Sequence, residues 1–239
     1  INVGGTRNVL EVMRDLGIPK GVYTSTLAVY SDTHGQAVAE SYVFTGEHIS
    51  NYDRTKADAH YQVALPMMRA GLPLVIVQPG LVYGKDDPSA AGTALHNYLL
   101  RKLPVVPQQT AYAWAHVEDV VEGHILAMER GKTGESYHIC GEIVSFTDAL
   151  KLAEQITAVP APKLSAPPAL FKLMSPLAKP FDAFLPEAYT SEGLRVVAGV
   201  TYIATNEKAK RELGFNPRPL AEIFREVLPY EMQKLGIKR

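Results

Sequence analysis

The stretch Leu72 to Gln78 reads Leu-Pro-Leu-Val-Ile-Val-Gln and constrains the fold more than any other. It is apolar and β-branched with no alternation of polar residues, the composition of a strand buried on both faces of a parallel sheet. Such a strand needs helices above and below it, which requires an α/β layered architecture. Pro79-Gly80 follows directly. In open α/β sheets ligands bind at the carboxyl ends of the strands, so a site is expected at this end. A chain of 239 residues, 46% hydrophobic and 21% charged, can supply the core such layers need.

The chemistry is concentrated earlier, between Thr24 and Lys56. The short strand pattern Gly21-Val22-Tyr23 runs into three hydroxyl residues, Thr24-Ser25-Thr26, and Tyr52-Asp53-Arg54-Thr55-Lys56 follows. A helix from Asn51 would put Tyr52 and Lys56 one turn apart on a single face. A free phenol, with a pKa of about 10, is a poor acid or base at neutral pH, and a nearby ammonium lowers that pKa. A phenol so tuned can pass a proton to or from a carbonyl or hydroxyl oxygen, and Ser25 and Thr26 could hydrogen-bond the same oxygen. Tyr-x-x-x-Lys also arises by chance in helices, so its context decides.

Five blocks supply that context: Asn2-Val3-Gly4-Gly5-Thr6-Arg7-Asn8-Val9-Leu10, Thr24 to Tyr30, Tyr52 with Lys56, Gln78-Pro79-Gly80-Leu81-Val82-Tyr83-Gly84, and His116-Val117-Glu118-Asp119-Val120. In this order they resemble the extended short-chain dehydrogenase/reductase family, also called the NAD-dependent epimerase/dehydratase family, over nearly the whole chain. The resemblance implies that Tyr52 is the acid/base and that Lys56 holds the nicotinamide ribose and tunes Tyr52. It implies that Thr26, four residues before Tyr30, binds the reacting oxygen in preference to Ser25. Thr24 and the backbone from Pro79 through Gly80 and Leu81 to Val82 are implied on the cofactor side, the cofactor being NAD or NADP. Asn2 heads its helix as a cap, and the resemblance implies a second role in the hydrogen-bond network of the site.

The rest of the chain is read around these blocks. Helices are expected at Asn2 to Leu16, at Asn51 to Ala70 with Ser50 as cap and Pro66 bending or breaking it, at Ala90 to Leu103, at Val117 to Arg130 and at Ser145 to Thr157. Strands are expected at Lys20 to Thr24, Ala111 to His116 and Glu135 to Cys140, and a loop over the site from Ser31 to Ser50. The histidines of that loop, His34 and His48, are expected to face solvent. Between Val159 and Pro186 lie seven of the seventeen prolines, interleaved with Leu170, Phe171, Leu173, Met174, Leu177, Phe181, Phe184 and Leu185. Short segments walling a pocket are expected there, with an exposed apolar surface as the alternative. A short helix from Asn206 to Leu213 and a final helix to Leu235 close the chain.

No Gly-x-Gly-x-x-Gly or Gly-x-x-Gly-x-x-Gly occurs anywhere, and the chain opens on a helix that the family places well inside its nucleotide domain. The expectation is a doubly wound, Rossmann-like parallel sheet, α/β in class and incomplete at its N-terminus. Residues 1–83 and 110–149 would form the NAD(P)-binding part. Residues 84–109 and 150–239 would form a smaller mixed substrate region.

A formal net charge of -1 gives no field for nucleic acid. The single cysteine, Cys140, fits a reducing cytoplasm, and the seven histidines show no metal-ligand spacing. The expected partner is a small-molecule substrate, with neither nucleic acid nor membrane contact and with room for a homodimer. The expected activity is NAD(P)-dependent hydride transfer at a carbonyl or secondary alcohol. The alternatives are a nucleotide-sugar epimerase or dehydratase, and a non-catalytic binding or assembly subunit. Nucleotide-sugar members of the family resembled carry an Arg four residues before the His of the last block, where this chain has Tyr112. That tilts the reading towards the branch resembling dihydroflavonol reductases and 3β-hydroxysteroid dehydrogenases.

Overall fold

A computed structural model describes residues 1–103, 105–182 and 190–237. In chain order its elements are α1 (Asn2–Asp15), β1 (Gly21–Thr24), a 3-10 turn (Leu27–Tyr30), α2 (Asn51–Ala59), a π turn (His60–Ala64), α3 (Leu65–Arg69), β2 (Leu74–Pro79), β3 (Leu81–Tyr83), α4 (Ala90–Leu99), β4 (Val105–Pro107), β5 (Ala111–His116) and α5 (Val117–Arg130). There follow β6 (Ser136–Ile139), β7 (Ile143–Ser145), α6 (Phe146–Thr157), β8 (Leu164–Ala166), α7 (Pro168–Ala178), a 3-10 turn (Lys179–Phe181), α8 (Ser191–Val197), β9 (Thr201–Tyr202), α9 (Glu207–Leu213) and α10 (Leu220–Lys234).

The strand expected from the apolar run lies at the centre. β2 is parallel to β1 on one side and to β6 on the other, and all six of its residues are buried. Its side chains divide between two cores: Leu74 and Ile76 join Leu10, Met13 and Met68 from α1 and α3, while Val75 and Val77 join Leu126, Ala127 and Leu213 from α5 and α9. Each such side chain contributes about 1.5–3 kcal/mol by leaving water. The absence of polar alternation in the sequence thus reflects helices packed on both faces.

A second sheet pairs β5 with β3 and β9 in parallel and with β7 antiparallel, and β4 pairs with β8. α6 and α10 pack against β5 through Trp114, Leu150, Phe224 and their neighbours in a third core.

Two expectations need correction. Pro66 neither breaks nor sharply ends the long helix. The π turn at His60–Ala64 lies immediately before it and absorbs the missing N–H and the ring's bulk, so the helix runs on as α3 to Arg69. Residues 159–182 do not form a wall of short pieces, because α7 runs for 11 residues with Pro168 at its start and Pro176 inside. Leu170, Leu173, Met174, Leu177 and Phe181 point outward and are exposed. Phe184, Leu185 and Pro186 lie outside the described residues.

Candidate active site

The three parallel strands end together, and the hydroxyl triplet sits where β1 leaves the sheet, its Ser25 N–H donating to Val77 O of β2 at 2.8 Å. Each hydroxyl has a different task. Thr24 turns towards α5, where its Oγ1 pairs with His124 Nε2 at 2.9 Å while His124 Nδ1 donates to Val120 O at 2.7 Å. Ser25 is buried and pairs with His60 Nδ1 of the π turn at 2.9 Å. Thr26 opens the 3-10 turn and accepts from Ala28 N–H at 3.2 Å, and its hydroxyl lies close enough to the Tyr52 phenol to favour the ionised form. Thr26 and Tyr52 therefore face one another, and Ser25, committed to His60, supports them from behind.

Ser50 caps α2 by accepting from Asp53 N–H at 3.0 Å, as the sequence leads one to expect. Tyr52 and Lys56 share one face of this helix, the ammonium 5.9 Å from the ring centroid. Tyr52 is 52% exposed, so part of its side chain is open to a ligand. No ion pair among the described residues engages Lys56, whose three donors remain available for hydroxyls such as those of a ribose.

The expected lowering of the Tyr52 pKa by Lys56 is not what the structure produces. Partial burial raises the phenol above its ordinary 10.0, the Thr26 hydroxyl opposes that rise, and the Asp53 carboxylate adds to it. The Lys56 ammonium lies over the ring, 5.9 Å from its centroid, and the burial of the phenol outweighs it.

Asn2 is not a cap. Ile1 holds that position without a side-chain bond, and Asn2 Nδ2 donates to Thr55 Oγ1 at 3.0 Å, which in turn donates to Tyr52 O at 3.1 Å. Asn2 thus supports the helix that carries Tyr52 and Lys56.

Pro79 ends β2 and Leu81 begins β3. Between them a Cβ on Gly80 would lie 2.1 Å from Ala113 O of β5 and 2.8 Å from Cys140 Cβ after β6, so only glycine lets this turn pass so close to them. Leu81 and Val82 are half-buried and pack on separate cores.

Asp53 was not anticipated. Its buried carboxylate accepts from Ser31 at 3.0 Å, Ser50 at 2.8 Å and Tyr202 at 3.0 Å, tying α2 to the loop and to β9, and burial raises its pKa against these bonds. Ser50 was legible as the cap, but Ser31 and Tyr202 are brought to Asp53 only by the fold. Tyr202 also stacks on Tyr112, with centroids 6.1 Å apart and planes within 4°, and burial pushes the Tyr112 phenol up to about 12. Of the loop histidines, His34 is exposed, whereas His48 is half-buried beside Phe44.

His116, Glu118 and Glu226 offer ligand atoms within 4.8 Å of one another. Arg218 already bonds Glu118 at 3.1 Å and Glu226 at 3.3 Å, and Lys85 holds Glu226 at 2.8 Å, so cationic side chains occupy this acidic cluster. Burial raises the thiol of Cys140 to about 12, which makes it a poor nucleophile.

Residues 1–140, more than half of the sequence, match the NAD dependent epimerase/dehydratase family. The chain belongs to this family. Its members are enzymes, and the family is NAD-dependent.

Among curated proteins the chain is 29% identical to sterol demethylase protein B of Methylococcus capsulatus, covering 96% of this chain and 71% of that protein. It is 33% identical to a Synechocystis protein named after dihydroflavonol 4-reductase (89% and 64%). With a Stigmatella aurantiaca 4-hydroxy-2-methyl-3-oxo-4-farnesyl-3,4-dihydroquinoline-1-oxide ketoreductase it shares 30% identity (91% and 66%). The chain thus spans about two thirds of the length of these relatives.

The solved structure of gox2253 superposes with a TM-score of 0.81 at 27% identity, over 100% of this chain and 73% of that one. The fold is shared with UDP-glucuronic acid 4-epimerase from Bacillus cereus, solved with UDP-glucuronic acid and NAD (TM-score 0.72, 21% identity, 98% and 68% covered). It is shared also with RMD from Pseudomonas aeruginosa, solved with NADPH (TM-score 0.68, 15% identity, 97% and 73%).

Proposed function

We propose that this chain carries the nicotinamide-side and substrate-side residues of an NAD(P)-dependent oxidoreductase that acts on a carbonyl or secondary alcohol. The observation that carries the reading is the half-exposed Tyr52, facing the Thr26 hydroxyl with the unpaired ammonium of Lys56 over its ring. The bound nicotinamide would accept or supply the hydride. Tyr52, protonated at neutral pH, donates its phenolic proton to the oxygen of a carbonyl as that oxygen gains charge, and takes a proton back in the reverse direction. Thr26 holds the same oxygen by its hydroxyl. Lys56 binds ribose hydroxyls, and the backbone of Pro79 to Val82 meets the carboxamide. Asn2 and Asp53 hold α2 in place from opposite ends of the Tyr52 turn.

The substrate we favour is apolar or aromatic. Tyr112 stands where a diphosphate-binding Arg would be expected, and it stacks on Tyr202, whose hydroxyl bonds the residue next to Tyr52. The free, buried Cys140 fits action in the cytoplasm.

The test is turnover by the gene product that contains this sequence, with alicyclic or aromatic ketones and NAD(P)H, set against UDP- and dTDP-sugars. Tyr52→Phe should lower kcat by about 10²–10⁴-fold and leave cofactor binding nearly intact. Unchanged turnover in that variant would refute the role of Tyr52, and tight binding of nucleotide sugars would reverse the substrate assignment.

A further inference from the structure

The outward side of α7 exposes a run of large apolar residues. Leu170, Leu173, Met174, Leu177 and Phe181 recur at the three- and four-residue spacing of one helix face. Leu173 is 67% and Leu177 70% exposed, and Leu164 just before the helix is 64% exposed. The opposite side is anchored: Ser175 is buried and donates to Ser191 O at 2.8 Å. Asp182, the first acid after α7, is half-buried, its carboxylate accepting from both Ser191 N–H and Ser191 Oγ at 2.6 Å.

Charge identifies what this face would meet. From Pro160 to Phe181 the sequence has Lys163, Lys172 and Lys179 and no Asp or Glu, although the whole chain carries a formal net charge of -1. All three lysines are exposed, and none forms an ion pair among the described residues. Lys172 and Lys179, seven residues apart, run along one edge of the exposed face. The outward apolar residues of α5, Val117, Val121, Ile125 and Met128, are by contrast interleaved with Glu118, Glu122 and Glu129. A negatively charged surface would repel α5 and attract α7.

An 11-residue helix is about 16 Å long, too short for a hydrocarbon core of about 30 Å, so it would lie along such a surface. No helix among the described residues is long and apolar enough to cross a membrane.

We propose that the outer face of α7 docks this protein onto an anionic lipid surface. Leu173, Leu177 and Phe181 enter the acyl boundary while Lys163, Lys172 and Lys179 meet headgroup phosphates. The sequence had led to the opposite expectation, because prolines and apolar residues alone do not tell a wall from a face.

Co-sedimentation of the whole chain with vesicles of phosphatidylcholine, alone or mixed with phosphatidylglycerol, tests this. Each lysine near an anionic surface is worth about fivefold in partitioning, so the three together should favour the mixed vesicles by one to two orders of magnitude, an advantage that salt erodes. Lys172→Glu with Lys179→Glu should abolish the preference. Leu173→Glu with Leu177→Glu should abolish binding while leaving the circular dichroism spectrum unchanged, since both side chains are exposed. Equal, weak pelleting on both vesicle types would overturn the proposal, as would binding that survives the leucine changes. A concentration-dependent dimer that the leucine changes dissolve would overturn it too, by showing that a second copy of the chain covers the face.

Discussion

Acidification should destabilise this protein through His60. The imidazole is 4% exposed beneath the hydroxyl triplet, paired with Ser25, and its pKa falls from 6.5 to about 4. Burial is the largest cause, followed by the positive charges that His138 and Arg69 can carry. In the unfolded chain His60 takes up a proton below pH 6.5, whereas in the fold it stays neutral until about pH 4, so the unfolded state gains protons first. Stability is therefore unaffected above pH 6.5 and is lost progressively as the pH falls towards 4. A shift of that size corresponds to about 3 kcal/mol, or a Tm lower by roughly 6–12 °C for a chain of this length. His138 is also buried and shifted in the same direction, and carboxylates add their own terms, so the total fall in Tm is not diagnostic. The difference between wild type and His60→Asn is, because Asn keeps a polar atom near Ser25 and cannot be protonated. Thermal unfolding by circular dichroism should show wild type losing about 3 kcal/mol more than the variant between neutral pH and pH 4. Equal losses in the two proteins would refute the reasoning.

Three further outcomes follow from the site. Because partial burial raises Tyr52 above 10.0, carbonyl reduction should stay level through neutral pH and decline only in the alkaline range beyond that value; a decline centred near pH 8 would mean that Lys56 reaches the hydroxyl during turnover. Lys56→Met should raise KM for the cofactor and lower kcat, each by about tenfold, since charged hydrogen bonds of about 1.5–3 kcal/mol are lost; a variant impaired only in Tm would make Lys56 structural. Gly80→Ala drives a Cβ against the Ala113 carbonyl, which has no flexible end to move, so it should cost roughly 2 kcal/mol or more and lower Tm by several degrees; an unchanged melting curve would refute the close approach.

Local pattern carried much of the architecture. The unbroken apolar run of β2 announced helices on both faces, Ser50 announced the start of α2, and the four-residue step from Tyr52 to Lys56 placed both on one side of it. These are short-range properties, set by backbone periodicity and capping, and they survive in any fold that contains the segment. The family followed from the order of the blocks, which the match over residues 1–140 bears out.

What required the tertiary structure were decisions made by distant partners. Ser25 and Thr26 are adjacent hydroxyls in the sequence, yet one is committed to His60, 35 residues away, and the other faces Tyr52. Asp53 is a plain helix-start acid until Ser31 and Tyr202, from either side of the sheet-to-loop passage and 149 residues away in the second case, close on its carboxylate. The segment after Val159 could have packed inward or outward, since its composition serves either. Its packing on α8, with Ser175 and Asp182 bonded to Ser191, sets its rotation and turns the leucines to the outside. Periodicity records which residues share a face, and long-range packing determines where that face points.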